Sequence, residues 1–427
     1  MKTYYALPKS AFPLLAAFVP QFFAVLGFLL AARCLDTAAL AAWAMFLTLA
    51  SFAEMARQGL VQSALVHFSA RFPAGEKMAI WSAALVWTFA TSIVGAVAIG
   101  LAATVCNRWW HLPGLVELSL LFPIVALALA PLRWHDAVRL SEQDFRGVAI
   151  AALIFGLSYL LFLGLGHYFS GKTGVLQLLF WQMPAGLLTA ALRARDIWRR
   201  AHRSGNSKRR RSFWFRKFWR YGRYGLGSNL LSMLFQRADV LLLAAFVAPT
   251  GLAAYHVASR IVTWLDFPLN ALSQAFLPKM AAAFMGNGQD GVRSLYRQSV
   301  GRLWGIAAIL ATGAIIGADW LVGCLGGGKY AEAVVLLRIL LLAAFAKPFG
   351  RMLGTLLDAT GRPAANFRMV GLSLLLNLSL LFLLLPRFGV VGAAVASTGG
   401  IFLTTALGQY CFRKLLWPFS SVFMIIK

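Results

Sequence analysis

Charged residues, and acids above all, are scarce in this chain. Only 13% of its 427 residues are charged, 14 Asp and Glu stand against 40 Lys and Arg, and 60% of the residues are hydrophobic. Because a soluble globular domain carries about 25% charged residues, this composition argues against a soluble protein and is typical of an integral membrane protein.

A sequence motif for zinc hydrolysis is also missing. There is no HExxH pair, which argues against a zinc hydrolase. The four cysteines, at positions 34, 106, 324 and 411, lie far apart without CxxC spacing. All predicted outer loops are short, so there is no room for an extramembrane catalytic domain. We therefore predict a protein that is not an enzyme and has no cofactor, with any energy coupling through the membrane potential or an ion gradient.

Twelve apolar segments have the length of a membrane-spanning helix, about 20 residues. They cover residues 11–32, 38–60, 79–105, 115–132, 148–168, 174–192, 224–247, 251–276, 302–323, 331–357, 367–385 and 389–412. With both termini inside, sixteen Lys and Arg fall in the inner segments outside the central basic stretch and five in the outer loops, as the positive-inside rule requires. The sequence thus predicts an all-α polytopic membrane protein.

A basic stretch from Arg193 to Arg223 separates the twelve segments into two sets of six. It carries thirteen Lys and Arg, one acid and several interleaved aromatic residues. In a soluble protein such a run would fit a nucleic-acid arm, but between apolar segments it is typical of a cytoplasmic loop. We predict an amino-terminal lobe over 1–192, a basic cytoplasmic linker over 193–223 that contacts anionic inner-leaflet lipids, and a carboxy-terminal lobe over 224–427. No nucleic-acid partner is expected.

A weak internal repeat relates the two sets. The segment LAARCLDTAALAAW (Leu30 to Trp43) is similar to LAAFVAPTGLAAY (Leu243 to Tyr255) with one gap, and each lies where the first helix of its set meets the second. Chance similarity between Ala- and Leu-rich segments is the alternative. A repeat of six helices with parallel orientation is typical of transporters in which one half moves against the other.

Polar side chains within the predicted spans mark the candidate substrate site, because a charge at membrane depth is costly and faces a cavity or a partner. The predicted site residues are Arg237 and Asp239 in one span, His256, Arg260, Asp266, Asn270 and Gln274 in the next, and Lys347 and Arg351 in the span from residue 331. Cations outnumber acids in this set, which favours an anionic substrate. For any single residue, a salt bridge between helices is the alternative. In the first half, Glu54 and Arg57 are spaced to pair along one helix.

Three stretches of the second half resemble the polysaccharide and O-antigen (Wzx-type) flippases of the multidrug/oligosaccharidyl-lipid/polysaccharide (MOP) exporter superfamily. They are RADVLLLAAFVAPTGLAAYHVASRIV (Arg237 to Val262), LGGGKYAEAVVLLRILLLAAF (Leu325 to Phe345) and LLDATGRPAANFRMVGLSLLLNLSLLFLLLPRFGVVGAAVAS (Leu356 to Ser397). The first half matches that family mainly in its layout.

The resemblance implies a MATE/MOP-like fold of about twelve transmembrane helices in two six-helix lobes. It also implies that a polyprenyl-pyrophosphate-linked oligosaccharide, such as an O-antigen repeat unit, crosses the bacterial inner membrane by alternating access. The cations of the cavity would hold the pyrophosphate, and His256, Asn270 and Gln274 would contact the sugars. Membrane lipids and other polysaccharide assembly proteins are the expected partners. A multidrug or cation antiporter of the same superfamily is the first alternative, weakened because the first span has Gln21 and no acid. A membrane-embedded glycan polymerase or ligase is the second.

Overall fold

Helices form all the regular structure in the residues that the computed structural model describes, which are 11–170, 174–202, 211–359 and 363–416. Within these ranges there is no strand. Eight of the helices are long and apolar enough to cross a membrane, or up to ten if each of two bent helix pairs is one span. The predicted all-α, multi-pass architecture is confirmed.

The first compact unit, Met1–Arg237, begins with helices that follow the predicted spans closely. They are α1 (Ala11–Cys34), α2 (Thr37–Arg57), α3 (Ser63–Arg71), α4 (Lys77–Trp110), α5 (Leu115–Ser141), α6 (Phe145–Ser170), α7 (Val175–Phe180), α8 (Gln182–His202) and most of α9 (Arg211–Phe246). A π-helical turn, Gln58–Gln62, joins α2 to α3. The Asp36 side chain caps α2 by accepting a hydrogen bond of 2.6 Å from the Ala39 amide, as expected of an N-terminal capping residue.

The start of α9, which lies in the predicted linker, packs into the first unit. Trp214 and Phe218 are fully buried in a cluster with Leu65, Phe68 and other apolar residues of α3, α4 and α5. The described ends of the predicted linker are therefore helical, in α8 and α9, and its middle, residues 203–210, lies outside the described ranges. The rings of Trp214 and Phe218 bury large apolar surfaces, and this segment belongs to the first unit, which ends at Arg237.

The second compact unit, Ala238–Lys427, contains the end of α9 and five further helices. They are α10 (Pro249–Ile316), α11 (Ala318–Gly326), α12 (Glu332–Leu342), α13 (Lys347–Ala359) and α14 (Pro363–Leu416). Helix α10 packs against α12 and α13, and α13 packs against α14. Helix α10 contains the predicted span 251–276 and most of the span 302–323, which continues into α11. Helix α14 contains two predicted spans and bends at Gly389, whose φ of 55° and ψ of −135° interrupt the helix.

The predicted internal repeat has a structural counterpart. Each copy is a helix, a two-residue turn and a second helix, with matching backbone hydrogen bonds. In the first copy the Leu35 amide donates to the Ala31 carbonyl and the Leu40 amide to the Asp36 carbonyl. In the second copy Val247 donates to Leu243 and Leu252 to Ala248, all at 2.9 to 3.1 Å. In both copies the residues after the turn are buried, up to Trp43 in the first copy and Tyr255 in the second.

Candidate functional site

An ion pair between α10 and α13 lies at the centre of the candidate site. The Lys347 ammonium binds the Asp266 carboxylate, and the side chains are 19% and 15% exposed. Lys347 is the first residue of α13, just after a 43° bend between α12 and α13. Pro348, which has no amide hydrogen to donate, sits at this break, so the bend presents Lys347 to α10.

A second cation lies close to the same carboxylate. Asp266 also attracts the Arg351 guanidinium, which is one turn after Lys347 on α13. Lys347 and Arg351 therefore share one acid, and cations outnumber acids by two to one among these three side chains. Their role in binding a substrate stays a prediction.

Two further predicted site residues lie earlier on α10. His256 is buried and Arg260 is half-buried, and both make additional interactions within the protein. The hydroxyls beside them bond back to their own helix: Ser259 donates to the His256 carbonyl at 3.1 Å and Thr263 to the Ser259 carbonyl at 2.8 Å. The polar stripe is therefore in part satisfied by the backbone of α10.

Asp239 is held within its own unit. Its Oδ2 accepts a hydrogen bond from the Tyr255 hydroxyl at 2.6 Å, its Oδ1 accepts from the Val240 amide at 2.8 Å, and the Tyr255 hydroxyl lies 3.3 Å from Ser397 Oγ. This network ties α9, α10 and α14 together. Sequence reasoning missed Tyr255 and Ser397 as partners, since a tyrosine in a predicted span gives no sign of which acid it binds.

The remaining predicted residues do not join a described cluster. Asn270 is exposed, and its carbonyl accepts a hydrogen bond from Ser273. The side chain of Gln274 lies outside the described part of the structure. Arg237, the last residue of the first unit, is half-buried, and its Nε finds no hydrogen-bond partner among the described residues.

The first unit has an ionic network of its own. Glu54 accepts hydrogen bonds from Arg57 at 2.5 and 3.1 Å and from Gln58 at 3.0 Å, and its carboxylate lies 3.5 Å from Arg133 Nε. The predicted pairing of Glu54 with Arg57 is confirmed, and Arg133, which directly follows the predicted span 115–132, joins it. Helix α5 continues to Ser141, which brings Arg133 beside the pair.

These arrangements suit electrostatic binding better than covalent chemistry. The cluster of Asp266, Lys347 and Arg351 offers a cationic surface in a helical unit, and charge-assisted hydrogen bonds to phosphate are among the stronger polar contacts. Among the described residues, no three His, Cys, Asp or Glu side chains lie close enough to hold a metal ion.

Known transporters and flippases resemble this chain. The MatE family model matches residues 226–383. A probable low-salt glycan biosynthesis flippase, Agl15 of Haloferax volcanii, is 24% identical over 48% of this chain and 44% of its own length. The capsular polysaccharide biosynthesis protein CapF of Staphylococcus aureus is 27% identical over 34% of this chain and 37% of its own length. The chain thus matches less than half the length of these relatives.

The fold is shared with solved transporters. A multidrug resistance MATE family transporter of the MOP superfamily, in an inward-facing conformation, superposes with a TM-score of 0.77 at 15% identity, over 94% of this chain and 98% of that one. The protein is therefore a multi-pass membrane protein with the MATE/MOP fold. Together with the MatE match and the flippase relatives, this confirms the resemblance to polysaccharide flippases of the MOP superfamily that the sequence predicts.

Proposed function

We propose that the protein is a flippase that moves a polyprenyl-pyrophosphate-linked oligosaccharide from the inner to the outer leaflet of a bacterial cytoplasmic membrane by alternating access. The observation that carries this proposal is the excess of cations around Asp266 in the MatE-matching segment of a chain whose relatives are named as glycan flippases. The orientation with both termini in the cytoplasm and the involvement of other polysaccharide assembly proteins belong to the same proposal.

In this mechanism the positive groups receive the pyrophosphate. Arg351 and Lys347 share the Asp266 carboxylate, so an anionic headgroup replaces or joins Asp266 as their partner. Arg260 adds to the cations of the second unit, while His256, Asn270 and Gln274 contact the sugars and Asp239 holds its helix in place. Electrostatic attraction of this kind is strongest where the protein excludes water.

A multidrug or cation antiporter is the second candidate, favoured by the structural similarity to a multidrug MATE transporter. A common fold does not decide between the two, because one fold supports many substrates. An antiporter for cations needs an available acid. Helix α1 has none, and Glu54 in α2 is already bound by Arg57, Gln58 and Arg133, so the described acids of these helices suit a cationic substrate poorly.

The test uses cells in which this chain is the only source of the activity. Arg351→Ala is expected to slow glycan export by about tenfold, as for the loss of one charged contact, whereas Arg351→Lys is milder. Arg387→Ala, at an exposed arginine in α14, is the matched control, and membrane insertion is measured for each variant. Wild-type export by correctly inserted Arg351→Ala would refute the proposed site.

The substrate class is tested separately by deletion of the chain. A flippase predicts that single lipid-linked units accumulate on the inner leaflet. Accumulation on the outer leaflet would instead indicate a glycan polymerase or ligase, and drug-stimulated proton or sodium flux in proteoliposomes would indicate the antiporter.

A further inference from the structure

The first fourteen residues of α9 form an amphipathic segment with two distinct faces. One face is buried in the first unit through Trp214, Phe218 and Gly222. Arg216 and Arg220 lie on the other face, since positions four residues apart share a side of a helix, and both are exposed. Basic residues and buried aromatic residues are thus separated to opposite sides of a docked helix.

The charge of these two exposed arginines is the second feature of this segment. Within the part of the chain that the structure describes, no carboxylate pairs with Arg216 or Arg220. Arg223, on the same face, stacks on the Tyr224 ring and donates to its hydroxyl at 3.0 Å. The positive charge of this surface is therefore available to an anionic ligand.

Aromatic side chains lie on the same segment of α9 as the arginines. The Trp87 ring of α4 stacks on Phe215 at 4.4 Å and on Trp219 at 5.7 Å, and its Nε1 donates to the Phe215 carbonyl at 3.1 Å. The Trp219 side chain is 48% exposed and that of Tyr224 is 70% exposed. Tryptophan and tyrosine concentrate at the boundary between hydrocarbon and water, which indicates that this surface lies at the headgroup level of a leaflet.

Lys217, a third basic residue of this segment, contacts aromatic rings of the protein. Its ammonium lies 4.9 to 5.9 Å from the ring centroids of Phe68, Phe72, Phe213 and Trp214, so cation–π contacts hold it against the protein. Lys217 therefore helps to dock α9, whereas Arg216 and Arg220 point away from that contact.

We propose that this surface, formed by Arg216, Arg220, Arg223, Trp219 and Tyr224, is a binding site for anionic phospholipids of the surrounding leaflet. Arginine supplies the charge-assisted bonds to the lipid phosphate, and the exposed rings accept the glycerol and upper acyl region. The site fixes the first unit at the interface, and it is independent of whichever substrate the protein transports. The proposal limits the predicted lipid contact of the basic linker to one face of α9.

The experiment measures lipid preference on the full chain purified in detergent. Native mass spectrometry counts bound dioleoylphosphatidylglycerol and dioleoylphosphatidylcholine for the wild type, Arg216→Gln/Arg220→Gln and Arg108→Gln/Arg387→Gln. The control pair removes the same charge from two exposed arginines of other segments. We expect the first double variant to lose about fivefold in phosphatidylglycerol affinity per arginine and the control to keep the wild-type preference.

Two further measurements test whether the ligand of this surface is an anionic phospholipid. Arg216→Lys/Arg220→Lys retains the charge and should retain most of the preference, and added salt should weaken phosphatidylglycerol binding to the wild type. The proposal is overturned if both glutamine pairs lose binding equally or if Arg216→Gln/Arg220→Gln binds phosphatidylglycerol like the wild type. It is also overturned if inorganic pyrophosphate, rather than the phospholipid, depends on these arginines. None of these results requires transport activity, so failure here is distinct from failure of the flippase proposal.

Discussion

The Lys347 ammonium and the Asp266 carboxylate form an ion pair that joins α13 to α10 across 81 residues of sequence. Asp266 also attracts Arg351, so its removal leaves two cations uncompensated, whereas removal of Lys347 leaves Asp266 with one cation. We predict that Asp266→Asn lowers the stability of the second unit by about 3 kcal/mol, the order found when one partner of a mostly buried pair is lost. Lys347→Met is expected to cost less.

Thermal unfolding of the detergent-solubilised protein checks that Asp266→Asn loses more stability than Lys347→Met. The double variant Asp266→Asn/Lys347→Met should be more stable than the sum of the single effects predicts, because the pair acts as a unit. Strictly additive effects in this double-mutant cycle would show that the two side chains do not depend on each other.

The hydrogen bond from Tyr255 to Asp239 supports a second prediction. Tyr255→Phe removes the donor of the 2.6 Å bond and leaves a charged acceptor less well satisfied, which costs about 1–3 kcal/mol. Ser397→Ala is expected to cost less, since its oxygen lies 3.3 Å from the Tyr255 hydroxyl. Tyr410→Phe, at an exposed ring, is the matched control. A midpoint of unfolding for Tyr255→Phe equal to that of Tyr410→Phe would contradict the role given to this bond.

The helical layout could be predicted from the sequence because it depends on local properties. Apolar length sets each span, and the alternation of Lys and Arg sets the connections. The Glu54–Arg57 pair could also be predicted from the sequence, because residues three apart share a helix face. These features need no knowledge of which helix packs against which.

Contacts between distant segments could not be predicted in the same way. Lys347 lies about three turns from Asp358, the acid of its own helix, and its ion-pair partner is on α10. Arg133 joins Glu54 only because α5 extends beyond its apolar run. The docking of Trp214 depends on the apolar surface of α3 and α4, which a count of basic residues in the central stretch does not reveal. Helix–helix pairing, rather than helix formation, is the step that the sequence leaves open.

The ionic network of Glu54 supports a third prediction. Arg57 is only 4% exposed and donates two hydrogen bonds to the Glu54 carboxylate. Glu54→Gln therefore leaves a buried guanidinium without its carboxylate, at a cost of about 3–5 kcal/mol. Glu117→Gln, in the exposed first turn of α5, should change the unfolding midpoint little. Equal midpoints for the two variants would mean that the network does not stabilise the first unit.

The crossing of α9 over the π-helical turn supports the last prediction. A Cβ atom added at Gly222 would lie 2.3 Å from the Leu60 carbonyl oxygen, and one added at Gly225 would lie 2.4 Å from the Gly59 carbonyl oxygen. Both neighbours are backbone atoms, which cannot move aside as a side chain can. Gly222→Ala and Gly225→Ala should therefore each destabilise the first unit by about 1–3 kcal/mol.

Gly227 in the same helix separates this steric effect from helix propensity. An added Cβ there meets nothing within 4 Å, so Gly227→Ala should be neutral or stabilise the protein by up to about 1 kcal/mol, the usual gain of alanine over glycine in a helix. Thermal unfolding of the three single variants gives the comparison. If Gly222→Ala and Gly225→Ala unfold at the same temperature as Gly227→Ala, then α9 does not approach α2 and α3 this closely, and the docking of its first half onto the first unit must be loose.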